Sequence, residues 1–199
     1  LDRGNTFRGT SDFKVHVAQD LGYVDSSALW FWQQRPGGIA IIDYEEYHGE
    51  ALEFYFNLLR GKRYDYETIW LPHDAKAANL QTGRSTVEQY LSQKAYSPEK
   101  GDLVQEFPIR VAPKLDVQHG IDAVRWILPH CYIDKDKCHD GIEALRAYRR
   151  SYNELTKAFS DAPLHDWSSN GADAFRYFAL GAREFVDKTD VNDLLAASG

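Results

Sequence analysis

The chain has 199 residues, 43% of them hydrophobic and 14% aromatic, with a formal net charge of −7. This length and composition suit one packed domain of mixed class and exclude a disordered chain. The acidic balance argues against a tight autonomous nucleic-acid binder, whose affinity would come from basic contacts to phosphate, but not against an enzyme that needs an acidic metal site.

Polar Leu1–Asp12 lacks the apolar core of a signal peptide. With no Met anywhere in the chain, this segment is expected to be a linker remnant from a longer protein. No apolar run reaches membrane-spanning length. Phe13–Ala18 alternates, with Phe13, Val15 and Val17 on one face, and predicts a first strand. Ala28–Trp32 and Gly38–Tyr44 predict two more, with Arg35-Pro36-Gly37-Gly38 as the turn between them. Gly49–Arg60 changes to a helical period through Ala51, Leu52, Tyr55, Leu58 and Leu59, with Gly61 as its stop. Thr68–Leu71 reads as a strand ended by Pro72. Ser85-Thr86-Val87-Glu88 is a capping box opening a helix to about Lys94. Ile109–Ala112 is a further strand, and Val117, Ile121, Val124 and Leu128 mark a helix. Gly141–Tyr152 reads as a helix with a basic side, and a last helix is expected from near Ala172 to about Phe185. Strands that alternate with helices after an initial meander predict an α/β fold with a mixed central sheet flanked by helices. The domain is expected over 13–186, with 187–199 as a C-terminal tail.

Cys131 and Cys138 flank a charged loop, beside His130 and His139. A zinc site needs four convergent ligands, and sequence-adjacent residues rarely reach one ion together. Two isolated thiols are the simpler reading.

Three acids stand at element ends: Asp20 after the first strand, Asp74 just past the fourth, and Asp173 at the start of the last helix. A carboxylate at a strand end projects from a rigid frame into the crevice where α/β proteins place their sites. Cleaving a phosphodiester in line requires stabilising both the attacking and the leaving oxygen. Two Mg2+ or Mn2+ ions about 3.5–4 Å apart, held by carboxylates, accomplish this. Spacing alone also allows Asp20 to be an ordinary turn residue and Asp173 an ordinary first-turn helix acid.

The residues around these acids carry a resemblance. Gln19-Asp20-Leu21-Gly22-Tyr23-Val24-Asp25-Ser26-Ser27-Ala28, Leu71-Pro72-His73-Asp74-Ala75 and His165-Asp166-Trp167-Ser168-Ser169-Asn170-Gly171-Ala172-Asp173-Ala174-Phe175-Arg176-Tyr177 resemble, in order, three motifs of the nuclease domain of the large terminase subunit of tailed double-stranded DNA bacteriophages. The resemblance implies a ribonuclease H-like fold and a metal-dependent endonuclease that cuts concatemeric viral DNA during packaging. It assigns Asp20, Asp74 and Asp173 as catalytic, metal-binding acids for two divalent ions, Mg2+ or Mn2+, with Asp20 bridging and Asp74 and Asp173 each completing one shell. It also implies an N-terminal ATPase domain in the full-length protein, for which this chain has no Walker-type loop. The portal and small terminase subunit are the implied partners, besides double-stranded DNA. The implied location is the host bacterial cytoplasm, transiently at the procapsid portal. One position departs: many relatives have His after the Ser-Ser pair where this chain has Asn170.

Asp25, His73, His165 and Asn170 are candidate supporting residues; each also reads as an ordinary turn, surface or satisfied polar residue. Lys76 and Arg84 could meet the DNA backbone or edge a solvated helix. Arg146, Arg149 and Arg150 would share a helical face, as a DNA-contact stripe or a charged surface. Backbone holding predicts little sequence preference. Trp30, Trp32, Trp70 and Trp126 are expected in the core. Two alternatives stand beside this reading: another ribonuclease H-like nuclease of resolvase or recombinase type, and a non-catalytic module that docks on the portal or another partner.

Overall fold

The computed structural model describes residues 12–22, 26–79 and 83–196. Strands β1 (Val15–Asp20), β2 (Ser26–Arg35) and β3 (Gly38–His48) form an antiparallel meander. Pro36 and Gly37 fill the hairpin turn, where Gly37 takes φ +86°, a region that favours glycine. Then come α1 (Leu52–Lys62), β4 (Tyr66–Leu71), α2 (Thr86–Ser92) and a small hairpin of β5 (Lys94–Ser97) and β6 (Asp102–Gln105). The chain continues through β7 (Ile109–Val111), α3 (Val117–Ile127), β8 (Cys131–Ile133) and α4 (His139–Ala147). A second hairpin, β9 (Arg150–Asn153) and β10 (Ala158–Pro163), precedes the long α5 (Ser169–Ala196).

Six strands make the central sheet in the order β7-β4-β1-β2-β3-β8. β4 runs parallel to both β1 and β7, β3 runs parallel to β8, and the meander is antiparallel. The expected mixed sheet is therefore present. Alternation along its strands sends side chains to two faces. One face packs Trp30, Trp32, Trp70 and Ile41 against α3, α4 and α5, with Phe175 and Phe178 at the centre. The other packs Leu29, Phe31 and Ile69 against α1 and α2 through Tyr55, Phe56 and Tyr90. Trp126 departs from the core expectation, being 36% exposed with the Arg183 guanidinium 5.2 Å from its ring.

Several boundaries differ from the sequence reading. Gly61 does not stop α1; Arg63 adopts the left-handed conformation, φ 54°, and its N–H closes the helix on the Arg60 carbonyl. The capping box at Ser85 forms in both directions, yet α2 ends at Ser92 because the chain turns into β5. The helix expected over Gly141–Tyr152 ends at Ala147, where Tyr148 becomes extended and leads into β9. The last helix begins earlier and ends later than expected. It starts at Ser169 because Asp166 organises the turn before it. It runs to Ala196, through most of the stretch read as a tail, and 187–196 holds no Pro or Gly to break it.

Cys131 and Cys138 are free thiols, and Cys138 is fully buried. Burial pushes both thiols up to about 12.

Candidate active site

Asp20 ends β1, and Asp74 sits in the 3-10 turn His73–Lys76 that follows the parallel neighbour β4. Both acids therefore leave the sheet at the carboxyl ends of adjacent parallel strands. Asp20 pairs across the ladder with Ala28, and Ala28 is in the core beneath α5. The alternation of β1 thus aims Asp20 at the α5 side. Asp173 comes from α5, which lies across β1, β2 and β4.

The helix start is firmly anchored. Asp166 Oδ1 accepts from the Ser168 N–H at 2.9 Å and from its hydroxyl at 2.5 Å, while the Ser169 hydroxyl donates to the Asp166 carbonyl at 2.6 Å. Both serines are buried and hydrogen-bonded through this turn. Trp30 Nε1 donates to the Gly171 carbonyl at 2.8 Å, and its ring meets Phe175 edge-on at 4.9 Å. A core tryptophan of β2 therefore sets the position of the turn that carries Asp173.

Tyr177 lies one turn beyond Asp173 on α5. Its phenol is held above the ordinary value by burial first, and then by the negative charges of Asp20, Asp74 and Asp173 together. One hydroxyl-bearing ring on α5 thus lies within the field of all three acids. Asp173 is itself pushed up by burial, against the lowering influence of Arg176, His165 and Tyr148. Arg176 Nη1 donates to Asp173 Oδ1 and also to the Tyr148 hydroxyl at 2.7 Å. Among the described residues no three acid, His or Cys side chains stand at metal-ligand spacing, and Asp173 is occupied by Arg176. As a donor type, carboxylate oxygens suit a hard divalent cation.

The remaining candidates distribute unevenly. His165 lies beside the acids, with Nδ1 3.0 Å from the Ser169 hydroxyl and its charge felt by Asp173. His73 immediately precedes Asp74 in the turn. The Asn170 amide lies 3.5 Å from Glu46 Oε1 on β3, a residue in register with Asp20 through Ala28. Asp25 lies outside the described residues. Lys76 and Arg84 are exposed near Asp74. The basic stripe is not a helical face. Arg146 is on α4 and paired with Glu143 at 2.7 Å; Arg149 is in the connection, 3.9 Å from Asp166; Arg150 starts β9. The α4 helix ends before 149 and 150 could align with 146.

Three residues that matter here escape a reading of element ends. Arg176 and Tyr177 follow Asp173 at the i+3 and i+4 positions, the spacing that places side chains on one helix face. Glu46 is found only through the sheet register, since Asp20 pairs with Ala28 and Ala28 with Glu46.

A mixed sheet flanked by helices, with acids gathered at one end of its central strands, is the ribonuclease H-like architecture. Among solved structures the chain has the fold of phage large terminase nuclease domains. It matches the P22 large terminase nuclease domain with a TM-score of 0.57 at 18% identity, covering 89% of this chain and 85% of that one. It matches the SPP1 large terminase nuclease domain with bound Mn at 0.52 and 17%, covering 82% and 84%. Against the large terminase of a thermophilic bacteriophage the TM-score is 0.58 at 16% identity, covering 83% of this chain; the chain spans only 39% of the length of that protein. No sequence-family profile matches the chain, and no curated protein matches it by sequence. Among the described residues no helix is long and apolar enough to cross a membrane.

Proposed function

We propose that this chain is the nuclease domain of a phage large terminase: a metal-dependent endonuclease that cuts concatemeric viral double-stranded DNA during packaging. The observation that carries the reading is the placement of Asp20 and Asp74 at the carboxyl ends of adjacent parallel strands, with α5, the helix of Asp173, packed across them. The shared fold, including an SPP1 domain crystallised with Mn, supports it.

Asp20, Asp74 and Asp173 are the residues that would hold two divalent ions, Mg2+ or Mn2+. Such ions supply a nucleophilic water at neutral pH and charge stabilisation for the leaving oxygen. Asp20 and Asp74 act from the rigid ends of parallel strands, so they keep a fixed separation. Asp173 acts from a helix start fixed by Trp30 and the Asp166 turn. His165 stands beside Asp173 with a hydrogen-bonding ring. Exposed Lys76, Arg84, Arg149 and Arg150 are the groups offered to DNA phosphates, which carry no sequence information. The full-length protein would add an N-terminal ATPase domain and would work with the portal and the small terminase subunit. It would act in the host bacterial cytoplasm, transiently at the procapsid portal.

The test is plasmid cleavage by this chain with Mn2+, Mg2+ or EDTA, beside Asp20→Asn. Metal-dependent nicking and linearisation, lost in the variant, is the expected result. A folded protein that cuts with no metal present, or equally well as Asp20→Asn, overturns the reading.

A further inference from the structure

Arg176 is the cation nearest to the candidate site by direct contact, and its placement is built rather than incidental. Its guanidinium donates to Asp173 Oδ1 and to the Tyr148 hydroxyl. One guanidinium nitrogen thus links Asp173 of α5 to Tyr148, the residue that ends α4. The pair is mostly withdrawn from water, with Arg176 15% and Asp173 31% exposed. The Arg176 stem passes over Gly120 of α3, where an added Cβ would stand 2.6 Å from its Cδ. Glycine at that point is what lets the stem through. Three elements thus hold one guanidinium against one carboxylate.

An arginine is permanently charged and binds a carboxylate by charge-assisted hydrogen bonds. A divalent cation at the same carboxylate needs the same oxygen lone pairs and is repelled by the same positive charge. We propose that Arg176 is an internal counter-cation that occupies Asp173 in the metal-free protein, so that a divalent ion must displace it to reach the third carboxylate. This rests on the metal-site reading above. Arg176 is a positioning residue here, acting through Asp173: it keeps the acid cluster neutralised enough to fold without metal, and it sets the threshold at which metal is taken up. A purely structural arginine would behave oppositely, because removing it would loosen Asp173 and weaken metal binding.

The experiment is calorimetric titration of the metal-free chain with Mn2+, comparing wild type, Arg176→Gln, Arg176→Lys and Asp20→Asn, with thermal unfolding in EDTA and in saturating Mn2+. Arg176→Gln is expected to bind Mn2+ about tenfold more tightly, the size of one charge-assisted pair. It should melt lower than wild type in EDTA and regain the difference in Mn2+. Arg176→Lys, which keeps the charge, should stay close to wild type. Equal or weaker Mn2+ binding by a folded Arg176→Gln, or equal tightening by both substitutions, overturns the inference while leaving the metal site standing. Mn2+ bound by neither wild type nor Arg176→Gln overturns both.

Discussion

The two faces of the central sheet bury charge in opposite ways. Beneath α1, Asp43 and Glu45 of β3 share one ammonium: Lys62 Nζ lies 2.6 Å from Asp43 Oδ2 and 2.5 Å from Glu45 Oε1. Tyr64 donates to the same Asp43 oxygen at 3.2 Å, and Lys62 also stands 5.1 Å from the Phe31 ring centroid. Burial alone would lower the Lys62 ammonium, but its hydrogen bonds to Asp43 and Glu45 outweigh burial and hold it above the ordinary value. That network is closed by partners from the sheet and α1. Beneath α5, Arg176 is paired with Asp173, and the nearby Tyr177 phenol is raised by burial and by the charges of Asp20, Asp74 and Asp173. The difference separates two carboxylates sharing one lysine ammonium from a single carboxylate held by one arginine guanidinium.

Substitutions on each side sharpen the contrast. On the proposed metal site, the largest effect is expected at Asp74→Asn, where cleavage should fall on the order of a thousandfold through loss of a metal-holding carboxylate. Thermal stability in EDTA should stay level or rise, because one of several like charges is removed. A variant that loses cleavage only by unfolding would erase the distinction between the faces. Lys62→Met should do the reverse. Denaturant unfolding is expected to show a loss of about 3 kcal/mol, from stranding Asp43 and Glu45 without their partner; an unchanged midpoint would mean that network is not structural.

A smaller effect, on the α5 face, comes from His16. It is 3% exposed and stacked on Trp32 at 4.1 Å, and burial lowers it to about 4 from the ordinary 6.5. The unfolded chain takes up this proton first as pH falls. The neutral imidazole's contribution is therefore fully present above about pH 6.5 and is lost on acidification toward pH 4. Unfolding free energies at pH 7 and 4.5 should drop by about 2 kcal/mol more in wild type than in His16→Phe. Equal slopes would remove His16 as a source of acid sensitivity.

Much of the scaffold was legible in the chain. The meander, β4, β7, α3 and the Ser85 capping box follow from alternation, helical period and turn chemistry, all of which are local. Asp20 and Asp74 could be picked out because strand ends are local features too. What escaped reading depended on distant partners. The hairpins β5–β6 and β9–β10 carry polar, exposed strands with little alternation to detect. The register shift between Phe31 and Trp32 hides which face Asp43 takes. The stop at Gly61 was misplaced because a left-handed arginine two residues later could close the helix as well.

The sequence by itself determined the fold class and the main strands and helices of the scaffold, and it singled out the three acids as candidates, since periodicity and the wording of short motifs survive without contacts. Only the tertiary structure decided that α5 lies across β1, β2 and β4, that Asp173 is held by Arg176, and that Arg146, Arg149 and Arg150 do not form one stripe. Each of these depends on packing across the sheet or on where a helix ends. How the start of α5 sits on the sheet is set by contacts such as Trp30 with Gly171 and Phe175, not by spacing along the chain.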